Sequence, residues 1–291
     1  MRDLQLIELY VAVCHHYDNT LVAFAQRQSN NFCPKFSDEE VMTVLIWGIY
    51  SQKLEVKRCY EFIKDYYGDW FPNLPSYQTF NKRVNFLADA FKVLAGLLLG
   101  GLGFDTDHSD FIYDSMPIVL AGSARCGSAR VADELCSKGY CASKDMWYYG
   151  AKLHILAQAN HKSMPTPSTM QVSKASGHDR KIAEQLLEGV HNIRVFTDMA
   201  LLDSQWQADM FAKNNVEILT PIKRAKGQKT LCSADKFLSR AVSSIKQAIE
   251  SLNNWLIEKT NIQRASKVRS TDGLMVFLFA RVAYACFWFK C

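Results

Sequence analysis

The sequence predicts an α/β domain, a mixed sheet with flanking helices, preceded by an all-α N-terminal domain. Apolar residues recur at helical spacing through the first hundred positions. The texture then changes at Gly100-Gly101-Leu102-Gly103-Phe104, and beyond it short apolar runs bounded by turns alternate with helical segments. With 291 residues, 48% of them hydrophobic, the chain has material for one large or two modest domains. The division falls at 103/104: a helical region over 1–103, and a second domain over 104–291 that includes the C-terminal helix.

Leu4, Ile7, Val11 and Cys14 set the stripe of a first helix. Ser37-Asp38-Glu39-Glu40 reads as a capping box that opens the apolar run Val41 to Tyr50, and a third helix covers Glu55 to Tyr67. Pro72 and Pro75 forbid regular helix, after which Ser76 caps a long helix, polar and basic in its first two turns and apolar from Phe86 to Leu99. A polar helix front after a turn has the pattern of a helix that reads DNA base edges, which singles out Gln78, Asn81 and Arg83; a solvated helix start is the plainer alternative.

In the second part the candidate strands are Phe111 to Asp114, Tyr148 to Leu156, Met170 to Ser173, Ile193 to Thr197 and Val216 to Thr220. Helices fit Asp179 to Gly189, Leu201 to Asn214 and Ser233 to Thr260. Three strands in a meander followed by alternating helices and strands is the order of the ribonuclease H-like fold. The apolar stretch Gly273 to Phe289 carries Arg281 in its middle and is short for a bilayer, so it reads as a closing core helix.

Three acids stand out against this order. Asp114 ends Phe111-Ile112-Tyr113, Asp198 ends Ile193-Arg194-Val195-Phe196-Thr197, and Glu250 borders the apolar stripe Leu238, Val242, Ile245, Ile249, Leu252 and Leu256 of the last long helix. A carboxylate at the tip of an apolar run is held where sheet order ends, and two or three such oxygens with water and substrate phosphate complete the shell of a hard divalent cation. Mg²⁺ or Mn²⁺ suits an all-oxygen ligand set working on a phosphodiester. Taken singly, each aspartate could equally be a turn former or helix cap.

Charge distribution points to the same substrate. Between Pro221 and Ser270 eleven Lys/Arg face three acids, a local net charge of +8 in a chain whose total is +5. Within it Lys223, Arg224, Lys226, Lys246, Lys259, Arg264, Lys267 and Arg269 are candidates for phosphate contact, and Lys152 in the second strand joins them. Nine cysteines, odd in number and without a CxxC pair, argue against a disulfide framework and for a reducing cytosol. Met1-Arg2-Asp3-Leu4-Gln5 lacks the apolar core of a signal peptide, so a cytoplasmic protein with no membrane partner is expected, associated with the nucleoid when bound to DNA. His178-Asp179 is most economically a helix cap, and His154 a satisfied strand histidine.

With these residues in place, the chain resembles the DDE transposases of bacterial insertion sequences. The resemblance rests on Ile112-Tyr113-Asp114-Ser115-Met116-Pro117, Tyr149-Gly150-Ala151-Lys152-Leu153-His154, Val195-Phe196-Thr197-Asp198 and Ile249-Glu250-Ser251, in that order. It implies that Asp114, Asp198 and Glu250 are the catalytic metal-binding triad. It further implies an enzyme that cuts double-stranded DNA at the element's terminal inverted repeats and joins the ends to target DNA, as a homodimer in the synaptic complex. Many relatives carry an arginine four residues before the glutamate, where this chain has Lys246; Lys259 is the basic residue nearest the position seven beyond it. A metal-dependent nuclease without strand transfer, or a DNA-binding protein derived from a transposase that has lost its chemistry, are the alternatives.

Overall fold

A computed structural model describes residues 2–25, 34–103 and 109–289; part of the expected domain boundary, from Phe104 to His108, lies outside them. Two compact units result. One comprises residues 1–101, 130–134 and 256–291, the other 102–129 and 135–255.

The helical unit contains α1 (Arg2–Asn19), α2 (Asp38–Tyr50), α3 (Val56–Tyr66), α4 (Tyr77–Phe86) and α5 (Ala88–Gly100). The capping box at the start of α2 forms as the sequence predicts: Glu40 N–H donates to Ser37 Oγ at 3.3 Å, and Ser37 N–H donates to Glu40 Oε2 at 2.6 Å. Every residue from Val41 to Ile49 is buried, so α2 is the unit's central helix. On α1 the buried face is Leu6, Leu9 and Val13, while Leu4, Ile7 and Val11 are exposed. Both sets have helical spacing, and spacing alone does not say which one meets a neighbour. The single long helix expected after Ser76 is two, because the backbone breaks at Leu87 (ψ 17°) with neither glycine nor proline to mark it.

The sheet unit holds six strands: β1 (Asp110–Ala121), β2 (Ser137–Cys141), β3 (Met146–Gln158), β4 (Thr166–Lys174), β5 (Ile193–Phe196) and β6 (Val216–Leu219). Their order is β2-β3-β1-β5-β6, with β4 continuing on β3 beyond β2. β1, β3 and β4 form an antiparallel meander, and β5 and β6 run parallel to β1. This is the mixed sheet of the ribonuclease H-like fold. β1 runs well past Asp114, where the expected strand ends. Pro117 is tolerated because beyond Ile112 the strand pairs with β3 alone, which leaves a side for a residue without an N–H. β2 escapes sequence reading because Ser137-Lys138-Gly139-Tyr140-Cys141 lacks an apolar alternation; Gly139 is required there, since a Cβ would stand 2.8 Å from the Ala175 carbonyl oxygen. Gly150 is under a tighter limit: its Cβ would sit 1.9 Å from the Ile118 carbonyl oxygen, beside the irregularity at Val119/Ala121.

Helices α6 (Asp179–Leu186) and α7 (Ser204–Asn214) cover one sheet face with Ala183, Leu186, Trp206 and Met210 packed on Tyr113, Leu156, Val195 and Ile218. The helix expected from Leu201 begins at Ser204 instead. Asp203 caps it, with its side chain accepting from Trp206 N–H, and a short 3₁₀ turn occupies Met199–Leu201. The long helix α8 (Ser233–Thr260) belongs to the sheet unit up to Trp255.

The C-terminal helix α9 (Thr271–Trp288) differs from expectation in its allegiance. It packs on α5, α2 and α4, and so belongs with the N-terminal helices and not with the sheet. Every residue from Leu278 to Cys286 is buried, Arg281 included, and a helix buried all round is satisfied by helices on several sides. Among the described residues it is the one helix long and apolar enough to cross a membrane, yet most of it is buried inside the unit. Seven of the cysteines are described, and all are free thiols.

Candidate active site

Parallel pairing of β1 with β5 brings two of the three acids together. Ile112 faces Phe196 in the register, Asp114 stands two residues past Ile112, and Asp198 two past Phe196. Equal displacement along parallel strands puts both carboxylates on the same edge of the sheet, at the carboxyl end of β5, where open α/β sheets hold their ligands.

α8 supplies the third side. Lys246 Nζ lies 3.5 Å from Asp114 Oδ1 and 3.5 Å from Asp198 Oδ2, so one ammonium stands between the two acids. Asn253 Nδ2 donates to the other oxygen of Asp114 at 2.8 Å. Lys246 and Asn253 are seven residues apart, two turns on one helix face, and Glu250 lies between them on that face, four residues from one and three from the other. Glu250 is exposed. Among the described residues no three acidic, histidine or cysteine side chains stand at metal-ligand spacing, so the sequence-predicted triad is a bracketed pair with Glu250 beside it on the helix.

The two aspartates differ electrostatically. Asp114 is mostly buried, and loss of hydration raises its carboxyl pKa; the Lys246 ammonium opposes that shift and the Asp198 charge adds to it. Asp198 is half exposed, and its second oxygen caps the following 3₁₀ turn by accepting from Ala200 N–H at 2.9 Å. The cap reading of Asp198 is therefore correct for one oxygen, while the other faces Lys246.

The residues present suit a hard cation. The donors are carboxylate oxygens, they already bracket a positive charge, and Asn253 Oδ1 is a buried acceptor without a partner. Asn253 is the residue that sequence reading missed. Its signal was its place on the helix face of Lys246 and Glu250, legible only once that face is known to meet Asp114.

On the face of β1 opposite Asp114 lies a second polar group. Tyr113 Oη and His154 Nδ1 are 2.6 Å apart, His154 Nε2 and Ser173 Oγ 2.8 Å, and Tyr113 Oη also donates to the Asp179 carbonyl at 3.1 Å. Burial lowers the His154 pKa to about 4, so the ring is neutral at pH 7. The Asp179 side chain does not cap α6 as the sequence suggests; it accepts from Ser115 Oγ at 3.1 Å and from Lys152 Nζ at 2.7 Å, and Lys152 also donates to the Gly177 carbonyl. Lys152, a sequence candidate for DNA contact, is thus held inside the sheet unit. The network ties β1, β3, β4 and α6 together behind the carboxylates.

The other candidates scatter. Lys223, Arg224 and Lys226 lie in the exposed segment between β6 and α8. Lys259 Nζ is 3.6 Å from Glu258, and Arg264, Lys267 and Arg269 are exposed between α8 and α9 in the helical unit. Gln78 is exposed and Asn81 half-buried. Arg83 turns inward: its guanidinium is paired with Asp38 and donates to the Ala25 carbonyl at 2.7 Å.

Residues 105–269 match the family described as a transposase DDE domain, a span that contains the whole sheet and all three acids. No curated protein matches the chain.

Proposed function

The chain belongs to the DDE transposase family, and from that premise we propose that it cleaves DNA at the ends of an insertion element and joins those ends to target DNA, with Asp114, Asp198 and Glu250 as the catalytic acids. The observation that carries this reading is the Lys246 ammonium standing between Asp114 and Asp198, since two acids that bracket a positive charge are arranged to bracket a divalent one. Mg²⁺ or Mn²⁺, two ions in the family's manner of working, would be held by Asp114 and Asp198 with Glu250 reaching in from α8. A bound cation would activate the attacking oxygen and stabilise the leaving 3′-oxygen.

The chain's own residues have separate tasks. Asn253 holds one oxygen of Asp114 by its N–H and so fixes the carboxylate's rotation. Lys246 neutralises the acid pair until an anionic substrate arrives, and its ammonium can then turn to a phosphate oxygen. Lys223, Arg224 and Lys226 present exposed charge to the duplex backbone, Gln78 and Asn81 offer amide groups to base edges, and two copies of the chain hold two ends together. Lys152 and Arg83 act in this reading through their internal partners, Asp179 and Asp38.

The test is cleavage of a labelled duplex carrying the element's end, with Mg²⁺, by the purified chain. Asp114→Ala, Asp198→Ala and Glu250→Ala are each expected to lower the rate by about a thousand-fold or more, the scale on which charge stabilisation of a transition state is lost. Near-normal cutting by Asp198→Ala, or full activity after exhaustive chelation, rejects the assignment. Cleavage without joining to a second duplex identifies a nuclease.

A further inference from the structure

The helical unit contains a cleft of about 820 Å³ between α3, α4, α9 and the segment joining α8 to α9. Six cationic side chains line it against one carboxylate, Glu55. Arg58, Arg264 and Lys267 are exposed, and among the described residues none of them is paired with an acid. At its floor lies Arg281, 5% exposed, whose guanidinium donates only to the carbonyls of Thr260, Phe277 and Leu54. Those bonds use one N–H on each of its three nitrogens, and among the described residues no carboxylate is paired with its charge. Burial lowers its pKa to about 10, so the floor remains positive throughout the physiological range.

A charged wall of this kind is ordinarily balanced by acids or opened to solvent. Here it is concave, and the amides of Asn81 and Asn85 and the rings of Tyr77 and Phe277 share the lining. We propose that this cleft binds a short stretch of single-stranded DNA, with Arg58, Arg264 and Lys267 on the phosphates and the amides and rings on the bases. Its volume is that of a small-ligand pocket, about 300–1,000 Å³, too small to admit a duplex and sufficient for a few stacked or splayed nucleotides. Cationic grooves interleaved with aromatic rings are how proteins hold a single strand. The assignment rests on the reading of the chain as a DNA-processing enzyme, and extends it to an unpaired strand held in the helical unit.

The experiment uses the full chain carrying Asp114→Asn to suppress cutting, with fluorescence anisotropy on a labelled oligo-dT strand and on a duplex of equal length. Arg58, Arg264 and Lys267 changed together to alanine should weaken single-strand binding ten-fold or more, lower the ratio of single-strand to duplex affinity, and reduce the salt slope by about 2, at about 0.7 per single-strand phosphate contact. Lys223, Lys226 and Lys229 changed to alanine remove the same total charge from the segment assigned to the duplex backbone, so they should weaken duplex binding and must not lower that ratio. Circular dichroism and melting confirm that both triple variants are folded. Equal effects of the two triple variants on the ratio, or a native chain that does not bind the single strand, overturn the proposal. The cleavage assay on the unsubstituted chain separates the two readings: cutting with an unaffected single-strand ratio rejects the cleft alone, while a cleft-dependent ratio without any cutting keeps the cleft and rejects the transposase chemistry.

Discussion

Arg281 in the helical unit and Asp114 in the sheet unit are both charged groups drawn largely out of water, and the two are held in opposite ways. In the helical unit Arg281 is surrounded by backbone: the carbonyls of Thr260, Phe277 and Leu54 accept from it, and the Phe277 ring lies 3.7 Å from its guanidinium carbon. In the sheet unit Asp114 is held by side chains, the Lys246 ammonium and the Asn253 amide. Carbonyls fixed by helix and loop geometry cannot exchange partners, so Arg281 is a permanent strut. An ammonium on a flexible four-carbon stem can leave. At Asp114 the counter-charge can move aside for another cation, whereas at Arg281 the partners stay in place and so does the guanidinium.

The sharpest way to break this comparison is to remove the strut. Arg281→Met keeps much of the volume but leaves buried carbonyls without donors, and unfolding in denaturant should show a loss of about 3 kcal/mol. Arg281→Lys should recover only a minor part of it, because one ammonium cannot span three carbonyls. A loss under about 1 kcal/mol for the methionine variant would show that the guanidinium is not structural.

A second, smaller effect sharpens the contrast through pH. His154 is depressed in the folded protein, to about 4 from 6.5, so the unfolded chain binds the extra proton first as pH falls. Its contribution is present in full above pH 6.5 and declines as pH drops from 6.5 towards 4, by on the order of 2 kcal/mol. His154→Gln should flatten that part of the stability curve relative to the unsubstituted chain. Parallel curves for the two proteins would place the acid sensitivity elsewhere. Arg281, protonated across this range, should contribute no slope.

The smallest effect is a gain. Because burial raises the Asp114 pKa, the folded state holds its proton more tightly than the unfolded state, and the group's contribution to stability falls as pH rises through the folded pKa. Above the folded pKa the penalty is complete. Asp114→Asn removes it and can keep a polar contact with Asn253, so it should raise stability by about 1 kcal/mol, seen as a melting shift of roughly 2–4 °C. It should abolish cleavage at the same time. A destabilised Asp114→Asn protein would show that the Lys246 attraction outweighs the burial cost.

Local signals are legible in the sequence where residues within a turn of one another set them. Ser37 and Glu40 determine the start of α2, since both partners of the box lie within one turn. The apolar runs ending at Asp114 and Asp198, with the strand and helix order around them, determine the sheet class and put Asp198 just past the end of β5; Asp114, expected at a strand end, lies within β1 just past its pairing with β5. Tertiary structure alone decided which of two equally spaced stripes on α1 is buried, that α9 joins the N-terminal helices, and that β2 exists as a partner for the first half of β3. It also decided that Lys246 and Asn253 meet Asp114, that Asp179 turns from its helix to Lys152, and that Arg83 turns to Asp38. The physical reason is common to all of these. Spacing and caps report on forces within a turn or two of chain, whereas burial and ion pairing depend on which surface is brought opposite, and that is settled by the packing of segments tens to hundreds of residues apart.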